Sequence, residues 1–219
     1  MQGVEFIVHG RIFIYQCCYK RCDSVNKFMR LILLALFMVV LAGCNAANNE
    51  QKFNATDITG VDFGNTLNLT DHTGKPRSLT DFKGKVVALF FGYTHCPDVC
   101  PTTLTDMKQA MKLLGGQANE LQVLFVTLDP ERDTQALLAE YVPAFDASFI
   151  GLYGTKEQTA SVLKDFKIFA AKVENKGRSG YTIDHSAGVY VFDKAGKIRL
   201  YVDYGTKPDA IASDVKQLL

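Results

Sequence analysis

The chain of 219 residues has no Trp, no Gly/Ser-rich linker and no internal repeat, which argues against a multi-domain or solenoid organisation. It also lacks a surplus of either charge: 24 Lys and Arg against 23 Asp and Glu give a formal net charge of +1. A nucleic-acid partner, which would call for a basic surface, is therefore not expected. No apolar run reaches the roughly 20 residues that a membrane-crossing helix needs. Proline is scarce, and none lies between Pro143 and Pro208. Cysteine is scarcer in effect than its count of six suggests, because Cys17, Cys18, Cys22 and Cys44 all fall near the front of the chain. Apolar residues are plentiful, at 47% hydrophobic and 11% aromatic, enough to fill one sizeable core.

Leu31 to Ala42 is a run of 12 apolar residues with Lys27 and Arg30 ahead of it. Length and flank match the hydrophobic core of a secretory signal. Leu41-Ala42-Gly43-Cys44 closes the run and resembles the bacterial lipoprotein signal, in which the cysteine is lipidated and begins the mature chain. On this reading Met29 is the start and 1–28 a spurious extension. Residues 29–43 are the signal peptide, Cys44 is the lipidation site and 44–56 a polar, flexible tether, with the folded domain at 57–219. The domain is then lipid-anchored on the periplasmic face of a bacterial envelope, an oxidising compartment. Cys96 and Cys100 are left as its only free thiols. Asn45 lacks the Asp that retains lipoproteins at the inner membrane, so the leaflet stays open.

Val86 to Phe91 (VVALFF) and Leu121 to Leu128 read as strands buried on both faces. Leu104, Met107, Met111 and Leu114 space a helix that Gly115-Gly116 stops. Further helices are expected over Asp133–Tyr141, Lys156–Phe166 and Pro208–Leu219, and a short strand over Phe149–Tyr153. Hairpins are expected around Asp71–Lys75 and around Lys194–Gly196. Lys172 to Asp184 lacks periodicity and reads as a long loop. The order implies an α/β fold, a thioredoxin-like sandwich with an added N-terminal β-hairpin.

Cys96-Pro97-Asp98-Val99-Cys100 follows the first buried strand, where open α/β sheets place their sites. A helix starting at Cys96 would put both sulfurs on one face, one turn apart, and its N-terminus would favour thiolate. Such a pair can close a disulfide or hold a soft metal. His185, in Thr182-Ile183-Asp184-His185-Ser186, would complete a set suited to copper, Cu(I) on two sulfurs and Cu(II) with the imidazole added; zinc accepts the same ligands. From position alone, His185 reads equally as a packed loop residue.

The segments FGYTHCPDVCPTTL, VTLDPERDT and YTIDHS together closely resemble the Sco/SenC family of copper-binding, membrane-anchored, thioredoxin-fold proteins. The resemblance spans roughly Asp57 to Leu219. It implies copper ligation by Cys96, Cys100 and His185. It further implies a metallochaperone that serves the CuA centre of a cytochrome c oxidase subunit, fed by a copper donor protein, near an inner-membrane oxidase. Such a protein is not an enzyme, although thiol–disulfide reductase activity could accompany it.

Several neighbours have two readings. His95, beside Cys96, is a poor co-ligand if it sits at a helix cap, where adjacent residues diverge. His72 reads as a solvated turn residue and Asp98 as a solvated first-turn acid. Asp129 could orient His185, contribute to a docking surface, or simply cap a turn. Tyr93 and Phe91 read as packing residues. The competing function is a membrane-tethered thiol–disulfide oxidoreductase acting through a Cys96–Cys100 redox disulfide on a copper-protein partner. The three-residue spacing and the missing facing proline count against it. A thiol peroxidase would want Thr three residues before the cysteine; Thr94 is two before Cys96.

Overall fold

The two apolar runs form the centre of the fold. In the computed structural model β4 (Val86–Gly92) and β5 (Leu121–Thr127) pair in parallel, and every residue of both is buried. The structure describes Lys27, Met29, Arg30, Ile32, residues 52–174 and residues 180–219. The four separate residues near the front are helical and exposed. The segment expected to be a signal, apart from Met29, Arg30 and Ile32, and Cys44 with the first part of the expected tether lie outside the described residues. Among the described residues no helix is long and apolar enough to cross a membrane.

The remaining strands are β1 (Thr56–Asp57), β2 (Leu69–Asp71), β3 (Pro76–Arg77), β6 (Ile150–Tyr153), β7 (Ala170–Glu174), β8 (Tyr181–His185), β9 (Val189–Phe192) and β10 (Ile198–Val202). The main sheet runs β1-β10-β9-β4-β5-β6-β2-β3. β5 and β6 are parallel, while β9 lies antiparallel on the other edge of β4. The helices are α1 (Val99–Leu114), α2 (Gln135–Phe145), α3 (Lys156–Asp165) and α4 (Pro208–Leu218). α1 packs against α4, and α2 against β6. Phe90, Phe91, Phe125, Phe149, Phe166 and Phe192 are essentially inaccessible and form the aromatic centre of the core. This is the expected thioredoxin-like α/β arrangement. The added hairpin is β2–β3, with β2 also paired to β6.

Three expectations change. The long loop over Lys172–Asp184 is instead a hairpin of β7 and β8, paired from Ala170↔His185 to Glu174↔Tyr181. Of its strand residues only Ile183 is buried, with Ala170 and Tyr181 packed partly against the core, so no clear alternation marks it in the sequence. The helix after Asp133 begins later, at Gln135 behind the cap Thr134, and runs through Pro143 to Phe145. Residues 53–56, read as the end of the tether, are docked. The buried carboxylate of Asp214 on α4 accepts from the Asn54 and Ala55 amides, and β1 pairs with β10.

Candidate metal centre

The parallel register sets Gly92 opposite Thr127, so the residues that follow both strands emerge side by side. After Gly92 the chain makes a tight turn, closed by the Cys96 amide donating to the Tyr93 carbonyl at 3.2 Å. The helix begins only at Val99, so Cys96 sits in the turn and Cys100 in the first turn of α1. The two cysteines therefore do not share a helix face. Both are free thiols, Cys96 partly exposed and Cys100 fully buried.

Burial pushes the Cys100 thiol far above the range of a free thiol, against the opposing pull of the Tyr93 backbone amide. The thiolate that a helix N-terminus would favour is thus overruled here by desolvation. Gly92 has a steric reason to lack a side chain: a Cβ there would lie 2.8 Å from Cys100 Sγ and 2.8 Å from Phe125.

His185 ends β8 and faces this sulfur. Its Nε2 is 3.8 Å from Cys100 Sγ. Its Nδ1 lies 2.8 Å from the Ser186 carbonyl, which can only accept, so Nδ1 carries the proton and Nε2 keeps its lone pair. Burial lowers the His185 pKa, opposed by that carbonyl and by Asp184. The rings of Phe90 and Tyr93 stand edge-on to the imidazole at 6.4 and 6.0 Å. An open depression lined by Tyr93, Cys96, Pro97, Asp98 and His185 leads to the site. A soft thiol and an aimed imidazole nitrogen in a half-buried place suit a thiophilic metal. Among the described residues, however, no three His, Cys, Asp or Glu side chains are already gathered at ligating distance. Cys96 would have to close on the metal.

The β7–β8 hairpin is held by contacts the sequence did not reveal. Asp129 is buried and pairs with Arg132, and it accepts from the Tyr181 hydroxyl at 2.8 Å. Arg132 stacks 3.7 Å over the Tyr181 ring and donates to the Tyr181 carbonyl at 2.9 Å. The Tyr93 hydroxyl accepts from the Ile183 amide at 3.2 Å. None of the hydrogen bonds described for Asp129 reaches His185; it fixes the start of the strand that His185 ends. Tyr93 is more than a packing residue, since it ties β8 to the turn that carries Cys96.

Asp133 is a further residue missed. It is buried and accepts from the Thr94 amide (3.0 Å), the Thr94 hydroxyl (2.6 Å) and the Thr127 hydroxyl (2.6 Å). It thereby locks the turn ahead of Cys96 to the end of β5. An available signal was its place just past the second of two adjacent buried strands. His72 is not simply solvated: its Nδ1 accepts from the Gly151 amide at 3.0 Å and its own amide donates to the Gly151 carbonyl. Asp98 is exposed, as expected.

The SCO1/SenC family model matches residues 55–219. The mitochondrial SCO2 homologue of Bos taurus is 32% identical over 198 residues, covering 86% of this chain and 74% of its own. Bradyrhizobium japonicum ScoI, solved with copper bound, superposes with a TM-score of 0.66 at 36% identity, over 72% of this chain and 99% of that one. Apo Sco1 of Thermus thermophilus gives a TM-score of 0.68 at 34% identity, over 78% of this chain and 99% of that one.

Proposed function

The chain belongs to the SCO1/SenC family, and on that premise we propose that it is a copper metallochaperone that takes one copper ion as cargo on Cys96, Cys100 and His185. The observation that carries the proposal is the His185 nitrogen aimed at the Cys100 sulfur, with its tautomer fixed by the Ser186 carbonyl. The ligand chemistry fits: Cu(I) is satisfied by the two sulfurs, and Cu(II) gains the imidazole. Burial of Cys100 shields that sulfur from water, while Cys96 and His185 line the open depression by which the ion would enter. Copper bound to Bradyrhizobium japonicum ScoI, a relative of the same fold, supports the choice of metal. The recipient we propose is the CuA subunit of cytochrome c oxidase, with a copper donor protein upstream. The chain itself would be a carrier, not an enzyme, held to a bacterial membrane by lipid on Cys44 after removal of the 29–43 signal.

Metal titration tests the ligand set. Purified protein should bind one Cu(I) and one Cu(II) per chain, the latter with a sulfur-to-copper absorption band. Unchanged binding of both ions by His185→Ala would sink the ligand set. Intact mass of the membrane-derived protein tests the anchor, since lipidation predicts a chain beginning at Cys44.

A thiol–disulfide role has its own support in the asymmetry of the pair, one thiol accessible and the other buried. In that case Cys96 would attack a partner disulfide, and His185→Ala would leave the exchange rate intact.

A further inference from the structure

We propose, on the copper reading above, that the depression lined by Lys156, Thr159 and Lys172 is a docking site for a carboxylate on a short apolar stem, an acidic side chain of the protein that exchanges copper with this one. The site shares no residue with the proposed metal ligands. An orphaned hydroxyl, a surplus positive charge and its place across the β7–β8 hairpin support it.

Leu128 and Leu163 give this depression apolar walls, while Glu131, Lys156, Thr159 and Lys172 supply its polar groups. Thr159, one turn into α3, is only 5% exposed. Its hydroxyl has no hydrogen-bond partner among the described residues. A helical threonine can return its hydroxyl to the carbonyl four residues back. Thr103 and Thr105 do so in α1, each at 2.8 Å. Thr159 makes no such bond. Leaving a buried hydroxyl unpaired is costly, and an acceptor seated in the depression would pair it.

Charge selects an anion. Lys156 and Lys172 both pair with the Glu131 carboxylate. They hold its carboxyl down to about 2, so it stays charged. Asp129, buried beside it, is matched by Arg132. One lysine charge is therefore left over. Each ammonium has three N–H donors and gives Glu131 one, so further donors remain on both. A single surplus charge matches a carboxylate better than a phosphate dianion, and the leucine walls suit the methylenes of a glutamate.

The hairpin ties this hollow to the copper site. Lys172 on β7 is paired with Ile183 on β8. Lys172 lines this depression, while Ile183 lines the other one together with Cys96 and His185. Paired strands lie about 5 Å apart. A protein reaching for copper on one side of the hairpin can thus set an acidic side chain on the other. Until it docks, Glu131 holds both lysines from within the chain.

The test uses 15N-labelled protein purified in detergent from cells expressing the full chain. It is titrated with the capped dipeptide acetyl-Leu-Glu-amide and, as control, with acetyl-Leu-Gln-amide. The Glu peptide should give saturable amide shifts at Leu128, Thr159, Ala160 and Lys172, and the Gln peptide none. Thr159→Val should weaken binding about tenfold, with an unfolding midpoint unchanged or higher because no hydrogen bond is lost. Glu131→Gln removes the internal competitor and should strengthen binding about threefold. Equal shifts with the Gln peptide, unchanged affinity in Thr159→Val, or weaker binding in Glu131→Gln would each overturn the site. Copper is titrated into the same sample. Protein that binds copper but no Glu peptide would overturn the docking site alone; protein that binds the peptide but no copper would overturn the copper reading and the partner named here.

Discussion

Cys100 Sγ and His185 Nε2 face each other at 3.8 Å across 85 residues of sequence, one at the start of a helix and the other at the end of a strand. Neither reaches the other through its own element. Tyr93, Arg132 and Asp129 bring β8 to the cysteine turn, and the Ser186 carbonyl chooses the nitrogen presented.

Replacing His185 by Ala should therefore separate the two oxidation states. Cu(I) should still bind through the two sulfurs. Cu(II) affinity should fall by at least about 100-fold, more than the loss of a mere orienting partner brings. Competitive titration with the absorption band as readout checks both.

Gly92→Ala should disturb the site from behind. The new methyl would fall 2.8 Å from both Cys100 Sγ and the Phe125 ring, and neither has room to move freely. A cost of about 1–3 kcal/mol in denaturant unfolding is expected, together with a weaker Cu(I) affinity.

Asp129→Ala should loosen the hairpin without touching a proposed ligand. It strips the carboxylate from Arg132 and from the Tyr181 hydroxyl. Arg132 keeps 24% exposure, so a loss of about 2 kcal/mol is expected, below that of a fully buried pair. Hydrogen exchange should quicken at 181–185 and not in β4 or β5.

Stability should depend on pH in two separate windows. Burial holds the His185 pKa below its ordinary 6.5, so the unfolded chain takes up that proton first. The apo protein should thus lose stability as pH falls below 6.5, and His185→Gln should lose less over the same range. Asp71 acts lower. Its burial would raise the carboxyl, but hydrogen bonds from Thr73, Lys75 and Arg77 outweigh this and hold it well below 3.8. Its contribution is full above 3.8 and is lost as pH falls toward the folded value, so Asp71→Asn should flatten acid unfolding there. Denaturation midpoints across pH check both windows.

The apolar strands β4 and β5, the spacing of α1 and the Cys96–Cys100 pair were legible because continuous burial and helical periodicity leave marks in a single stretch. The β7–β8 hairpin was not, because only Ile183 is buried and the partly buried Ala170 and Tyr181 complete no alternation. Asp133 was legible as a residue and not as a hub, since its partners Thr94 and Thr127 meet it only once two strands are in register. The helix was expected from Cys96 and starts at Val99, which moves one sulfur off the helix and into a turn.

By itself the sequence determined which atoms were available: two thiols around the start of a helix, an imidazole late in the chain, and an apolar run of 12 residues near the front. Tertiary structure decided what those atoms are like. It buried Cys100 and left Cys96 accessible, and it set the His185 Nδ1–H to donate to the Ser186 carbonyl, which leaves Nε2 facing the Cys100 sulfur. Burial and proton placement depend on neighbours distant in sequence, so only the folded chain could set them.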